Sequence, residues 1–246
     1  MQALNLGQQL MWLLPQGQDS QSKSSAFKHI SSTRYQDFSW PLADSTRRVR
    51  FKKNETIFSA GDVFTSLYFV ANGFLKADCV FQNGHYQTHR FMIPGDWFGL
   101  KGLGNGYYQS RTIALTDCDL VAVDARVLED QMNHNVKIRG AFEAIRSAVL
   151  NQSNHHCVVL STYSVEQKLA YFLIDFQERL RAIHYDKPTI ELPMSRDDVK
   201  SHLGMTSESL SRTFTALEQV GCFKVQNRLI SEIDFERLQK LVDKER

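Results

Sequence analysis

In the stretch LGMTSESLSRTFTAL, residues 203–217, an acid, a hydroxyl and a guanidinium fall at Glu208, Ser211 and Arg212. Spacings of three and one place them, with Thr215, on one face of a helix. Leu210, Phe214, Leu217 and Val220 repeat at three and four on the buried face. The plainest use of the polar face is solvent cover, with Glu208 and Arg212 as a surface i,i+4 pair worth a few tenths of a kcal/mol. The other use is reading base edges. An arginine can donate two bonds to guanine O6 and N7, a glutamate can accept from cytosine N4, and a serine can bond to either base or lie against a thymine methyl. One acid and one guanidinium can therefore read both partners of a single G·C pair, while the acid repels phosphates elsewhere. Thr206, Ser207 and Ser209, beside the first N–H groups of the helix, suit phosphate contacts. Arg196, Lys200 and His202 upstream, and Lys224 and Arg228 downstream, add donors around them.

The flanking sequence predicts what holds this face. Ser164 with Gln167 makes a capping box ahead of Leu169, Phe172, Leu173, Phe176 and Leu180. After a loop with Pro188 and Pro193, Ser195 and Asp198 offer side chains to start a short helix, RDDVKSHL, that stops at Gly204; Glu or Gln at 198 would be the stricter partner. Thr206 caps a third helix from 207 to about 220, ended by Gly221. CFKVQNRLISEID then reads as two short strands around Gln226 and Asn227. Helix, turn, helix and hairpin make a winged helix-turn-helix. The polar face belongs to its second helix, near the N-terminus, where such motifs enter the major groove.

Upstream, Gly61, Gly73, Gly84, Gly95 and Gly106 recur every eleven or twelve positions between runs rich in β-branched and aromatic residues: SLYFVA, FLKADCVF, YQTHRFMI, RTIAL and DLVAV. Short strands at that spacing indicate a sandwich or roll, with the Asn83–Gly84 pair as a hairpin turn. From 125 the period changes. Ile138, Phe142, Ile145, Val149, Gln152, His156 and Val159 fall at threes and fours on one face of a helix spanning 138–160. The roll can cover part of that stripe; a second copy of the helix covers the rest economically, so these residues are expected at a dimer interface, with cover from within the chain as the alternative. Residues 1–45 form an arm in which MWLLP is a small helix or anchor and SQSKSS a flexible segment.

Composition sets the frame. The chain has 246 residues, 42% hydrophobic and 23% charged, with a formal net charge of +2. It suits two small domains, and any basic surface has to be local. Four cysteines, Cys79, Cys118, Cys157 and Cys222, make no CxxC or metal-ligand cluster and fit buried thiols in a reducing compartment. No signal peptide and no apolar run near 18 residues is evident, so a cytoplasmic setting without membrane partners is expected.

With these residues in order, the chain resembles the CRP/FNR family of bacterial transcription regulators over about residues 50–240. The roll pattern stands as NETIFSAGDVFTSLYFVANGFLK followed by IPGDWFGLKGLGNG, and the E-x-x-S-R motif of the FNR branch as Glu208, Ser211 and Arg212. The resemblance implies an α+β fold: an arm over 1–45, a double-stranded β-roll of cyclic-nucleotide-binding type over 46–136, a dimerisation helix over 137–160 and a winged helix-turn-helix over 161–246. It also implies a homodimer on double-stranded DNA, reading a palindrome like TTGAT-N4-ATCAA, that contacts RNA polymerase and acts as an activator, not an enzyme. Two departures concern the signal. The iron–sulfur ligands of the FNR branch are missing: there is no cysteine before Cys79, and Val121 stands at the late ligand position, with Cys118 near it but unaligned. Neither that cluster nor any metal is expected. The nucleotide box of the cyclic-AMP receptor is altered: Gly99-Leu100-Lys101 lacks the ribose-binding carboxylate, and Ser110-Arg111 reverses the phosphate pair. Cyclic AMP is not expected, and Arg111 is expected to face solvent or an ion-pair partner.

For an effector, the aromatic middle of the roll (Tyr86, Phe91, Trp97, Phe98, Tyr107, Tyr108) leaves an apolar or aromatic small molecule open, with core packing as its commoner use. The candidate region is Trp97, Phe98, Leu100, Ser110 and Arg111. His155, His156 and Cys157 offer haem or metal ligands or a pH response as the alternative, and regulation without any ligand is the third. A cupin-like enzyme needs a clustered histidine and carboxylate set; His85 and His89 have no partner acid motif.

Overall fold

The computed structural model describes residues 46–81, 84–185 and 187–244; the expectations for the arm over 1–45 and for Asn83 lie outside them. Eight strands come first: β1 (Thr46–Phe51), β2 (Thr56–Phe58), β3 (Ser66–Asn72), β4 (Leu75–Val80), β5 (Tyr86–Met92), β6 (Trp97–Phe98), β7 (Arg111–Ala114) and β8 (Cys118–Asp124). They form two four-stranded sheets, in the orders β1-β8-β3-β6 and β2-β7-β4-β5, antiparallel throughout. The five recurring glycines all take positive φ, so each turns the chain where a side chain would be strained. Between the sheets lie Leu67, Val70, Leu75, Met92 and Leu120, all buried. An aromatic stack shares that space, with Tyr108 against Phe58 at 3.7 Å between ring centres and Phe98 against Tyr68 at 5.2 Å.

Two helices follow the roll, α1 (Ala125–His134) and the 27-residue α2 (Val136–Thr162), each started by an Asp or Asn whose side chain accepts from two backbone N–H groups. The sequence pattern places a helix at 138–160 and does not mark α1; the break between the two falls at Asn135, which is extended and caps α2.

The apolar stripe of α2 is covered by the chain itself, which corrects the expected dimer interface. Ile138, Phe142 and Ile145 are buried in the roll core, Trp97 meets Phe142 edge to face at 5.5 Å, and Val149 packs against the same cluster. Further along, Gln152, His156 and Val159 face the next two helices. The stripe is buried because the roll presents an aromatic surface the sequence pattern does not reveal. Left outside is the opposite face, Gly140, Glu143, Ser147, Leu150, Asn154, Cys157 and Ser161, all exposed and alternating at threes and fours, with Leu150 at 60% and Val158 beside it at 50%.

The C-terminal part holds α3 (Val165–Ala182), β9 (Ile190–Glu191), α4 (Arg196–Leu203), α5 (Ser207–Gln219), β10 (Lys224–Gln226), β11 (Leu229–Ser231) and α6 (Phe235–Val242). The wing is three-stranded, ordered β10-β11-β9, one strand more than the sequence pattern suggests. Its core joins Leu169, Phe176, Leu203, Leu210, Phe214, Phe223 and Leu238, and takes in Phe91, Ile93 and Leu115 from the roll. The two parts therefore share one apolar cluster. At their contact β5 is the edge of its sheet, and α4 lies along it. Ser201 accepts from the Thr88 N–H at 2.9 Å and donates to the Tyr86 carbonyl at 3.3 Å; His202 Nδ1 lies 3.1 Å from the Thr88 carbonyl. Backbone groups that an edge strand leaves unpaired are thus met by helix side chains.

Candidate nucleic-acid interface

The helix-turn-helix is built by local signals. Ser164 and Gln167 form the reciprocal capping box of α3, and Ser195 with Asp198 forms the same box for α4, so aspartate suffices at that position. Gly204 closes α4 in the left-handed region at φ 59°, which lets the chain turn within three residues into α5. Thr206 Oγ1 then accepts from the Ser209 N–H at 3.1 Å. Thr206→Ala should lower the stability of this domain by about 1 kcal/mol in chemical denaturation, since the donor it leaves is otherwise met only by water.

On α5, Leu210, Thr213, Phe214 and Leu217 are buried, and Glu208, Ser211, Arg212 and Thr215 are exposed side by side. Val220, expected at the end of the buried stripe, caps the helix and is exposed. Arg212 Nη2 rests on Glu208 Oε1 at 2.5 Å, with the side chains 80% and 71% exposed. An ion pair that wet is worth little, so both groups exchange it for other partners at small cost.

Around this face the donors divide. Lys200 Nζ donates to Ser207 Oγ at 2.9 Å and pairs with Asp197 at 2.8 Å, at the entrance to α5. Ser207 is exposed and Ser209 half-buried. Arg196, expected at a phosphate, belongs to the joint between helix and wing. Its guanidinium lies 3.4 Å from the centre of the Phe214 ring and donates to the Asn227 carbonyl at 3.1 Å; burial pulls it below its usual pKa. Lys224 pairs with Glu232 at 2.7 Å across the wing, and the exposed Arg228 reaches the Pro193 carbonyl at 3.4 Å.

The structure separates the expected effector residues. Phe98, Leu100 and Ser110 line a roll cavity of about 50 Å³ together with Phe58, Tyr108 and His89. Trp97 packs outward on Phe69 and Phe142. Arg111 pairs with Asp78 at 3.2 Å, in keeping with an ion-pair partner. Asp78 is fully buried and also meets Lys76 at 3.3 Å and the Thr88 hydroxyl at 2.8 Å. Lys76 goes on to Asp198, the capping residue of α4, at 2.6 Å. Burial alone would lower the Lys76 pKa; the bonds to Asp198 and Asp78 outweigh it and leave it raised, while Lys76 and the Ser195 hydroxyl and N–H hold Asp198 lowered against its own burial. A chain of ion pairs thus runs from the roll to the first helix of the reading motif. Only a pairing across more than 100 residues of sequence could have disclosed it, and neither Asp78 nor Lys76 sits in a motif.

His155 and His156 have different neighbours: His155 lies 5.1 Å from the Tyr171 ring, whereas His156 stacks on His202 at 4.1 Å. His156 therefore contacts the reading domain of its own chain. No group of three or more His, Cys, Asp or Glu residues among those described is arranged to hold a metal ion, and no described helix is long and apolar enough to cross a membrane.

Comparison with known proteins agrees with this architecture. Residues 48–135 match the cyclic nucleotide-binding domain family and residues 167–241 the Crp-like helix-turn-helix domain family. The nitrogen fixation regulation protein FixK of Bradyrhizobium diazoefficiens is 36% identical over 197 residues, 79% of this chain and 81% of that protein. The transcriptional activator protein FnrA of Stutzerimonas stutzeri is 28% identical over 78% of this chain and 80% of its own length. Among solved structures, FixK2 from Bradyrhizobium japonicum superposes with a TM-score of 0.74 at 25% identity, covering 82% of this chain and 99% of that one.

Proposed function

This chain belongs to the CRP/FNR family of DNA-binding transcription regulators, and from that premise we propose that it binds a TTGAT-N4-ATCAA-like palindrome as a homodimer and activates transcription beside RNA polymerase. The observation that carries the reading is the exposed trio Glu208, Ser211 and Arg212 on the first turns of α5, held outward by a buried apolar face, with the acid and the guanidinium paired to each other. In the FNR branch the matching residues read TTGAT, with the acid and the guanidinium on its G·C pair. Arg212 and Glu208 take the same roles in this protein: a fork onto guanine O6 and N7, and an acceptor for cytosine N4.

The second copy lies against the outer face of α2. Gly140, Ser147, Asn154, Cys157 and Ser161 are small or short and follow the 3-4 spacing of a coiled-coil seam, and Leu150 and Val158 supply apolar area that the chain itself leaves wet. Two such helices side by side set two copies of α5 about one turn of DNA apart, ~34 Å. Activation, rather than simple occupation of a promoter, is supported by the E-x-x-S-R branch, in which activators predominate.

Selection of bound sequences from random duplex DNA tests the reading. The enriched pool is expected to converge on two inverted TTGAT elements with a four-base-pair spacer. Convergence on an unrelated sequence, or on a single half-site, would overturn it.

A further inference from the structure

At the meeting point of the roll, α2, α3 and α4 lies a cavity of about 50 Å³ lined by His89, Gln152, His156, Tyr171, Arg179 and His202. Three imidazoles from three separate elements converge there. The rings of His156 and His202 stack at 4.1 Å and 13° to one another, and His202 Nδ1 meets the Thr88 carbonyl of β5 at 3.1 Å. Phe91 and Phe172 close the other faces of the His202 ring, at 4.9 and 5.8 Å. Among the described residues the buried Nε2 atoms of His89 and His156 have no hydrogen-bond partner. Such a site favours neutral rings over charged ones, because those two Nε2 atoms have no acceptor among the described residues and partial burial removes some of the water a charged ring needs.

We propose that His202 is a positioning residue for DNA reading: as a neutral ring wedged between β5 and His156, it fixes the helix-turn-helix against the long helix, so that acidification loosens the docking. This goes beyond the DNA target proposed above. Docking matters to reading because α4 leads into α5 through a three-residue turn, while the spacing of two α5 helices is set by α2.

The charges around the three imidazoles are mixed in sign, and burial is the largest influence on each. From β5 come His89 and Arg90; from α2, His155 and His156; from α3, Tyr171, Asp175 and Arg179; from the roll, Asp78 and Lys101. On its own helix the nearest charged groups, Asp198 and Lys200, are engaged with Lys76 and Asp197. Asp96 is engaged by both Arg90 and Arg179, at 3.6 and 2.6 Å. Burial first, then His156, holds His202 well below the ordinary imidazole value, and burial also lowers His156 and takes His89 down to about 4. The docked state therefore binds fewer protons than the undocked one. Docking is at full strength above the ordinary imidazole pKa of about 6.5 and weakens as pH falls through it. For one ring, the step from pH 7.5 to 5.5 is worth about tenfold in the docking equilibrium.

Amide hydrogen exchange at Thr88, whose N–H is held by Ser201 of α4, reads docking without DNA. In the full chain, its exchange corrected for intrinsic pH dependence should quicken by about tenfold or more between pH 7.5 and 5.5. In His202→Gln, which keeps a donor for the Thr88 carbonyl but no titration, that acceleration should shrink by about tenfold. Preference for a four- over a six-base-pair spacer should fade with acid in the wild type and persist in the variant. Should His202→Gln fail to fold, His156→Gln serves in its place and should show the same loss. Equal acceleration in wild type and variant would overturn the proposal. A protein that ignores TTGAT at every pH but shows the exchange difference would overturn the DNA target and leave the docking role standing.

Discussion

Replacing Arg212 with alanine should cost the dimer about 2–6 kcal/mol on TTGAT-N4-ATCAA, roughly 30-fold or more in affinity, and leave binding to scrambled DNA nearly unchanged. Each half-site loses one two-pronged contact to guanine, worth about 1–3 kcal/mol of discrimination. The exposed pair with Glu208 contributes little to the free protein, so its loss does not disturb the fold. What remains is an unopposed Glu208 at the groove, which adds repulsion from the phosphates. Arg212→Lys should recover little of the discrimination, because an ammonium keeps the charge without the planar fork. Titration of labelled duplexes carrying the palindrome, a G·C substitution in each half-site and a scrambled sequence would check this. Were Arg212→Ala to weaken all three equally, Arg212 would be a phosphate contact and the base-reading assignment would fail.

Leu150→Glu is expected to convert the protein to a monomer and to lower its apparent affinity for the palindrome by ~100-fold or more, the usual advantage of two linked sites over one. Leu150 is exposed within the chain, so its replacement leaves the monomer's core intact and its circular dichroism unchanged. Two facing glutamates in a seam of short residues would repel each other at close range. Sedimentation would report the change of mass and gel shift the affinity. Phe142 and Ile145 sit under the roll, so truncating them destabilises the fold before it touches assembly. A Leu150→Glu protein that stays dimeric would remove the outer face of α2 from the interface.

That contrast shows where sequence reasoning reaches its limit. Turn glycines, caps and the two faces of α5 are legible because each depends on residues within about four positions of one another. The third strand of the wing carries a weak local signal, being two residues long; α6 has a clear one, the Asp234 cap ahead of Phe235, Leu238, Leu241 and Val242, which sequence reasoning missed. On α2 both faces keep a 3-4 period, one apolar and one of small residues; which of them faces a partner depends on what the roll offers. The apolar face goes to Trp97 and the roll core. Arg196 misleads for a related reason: a guanidinium near a predicted DNA face looks free until the wing carbonyl and the Phe214 ring are placed beside it. The ion pairs joining Asp78, Lys76 and Asp198, and the His156–His202 stack, depend entirely on tertiary approach.

The cover that α4 lays along β5 makes the reading domain a guardian of solubility as well. Without Ser201 and His202 in place, the strand Tyr86–Met92 offers unpaired backbone to any passing chain, beside the exposed side chains of Val80, Phe81 and Tyr86. That is the profile of an aggregation nucleus. Lesions in the motif therefore fall into two kinds with different fates in the cell. Those on the outer face of α5 are expected to leave an abundant protein impaired in reading DNA, whereas those on the inner face of α4 are expected to leave a sticky one exposed to quality control.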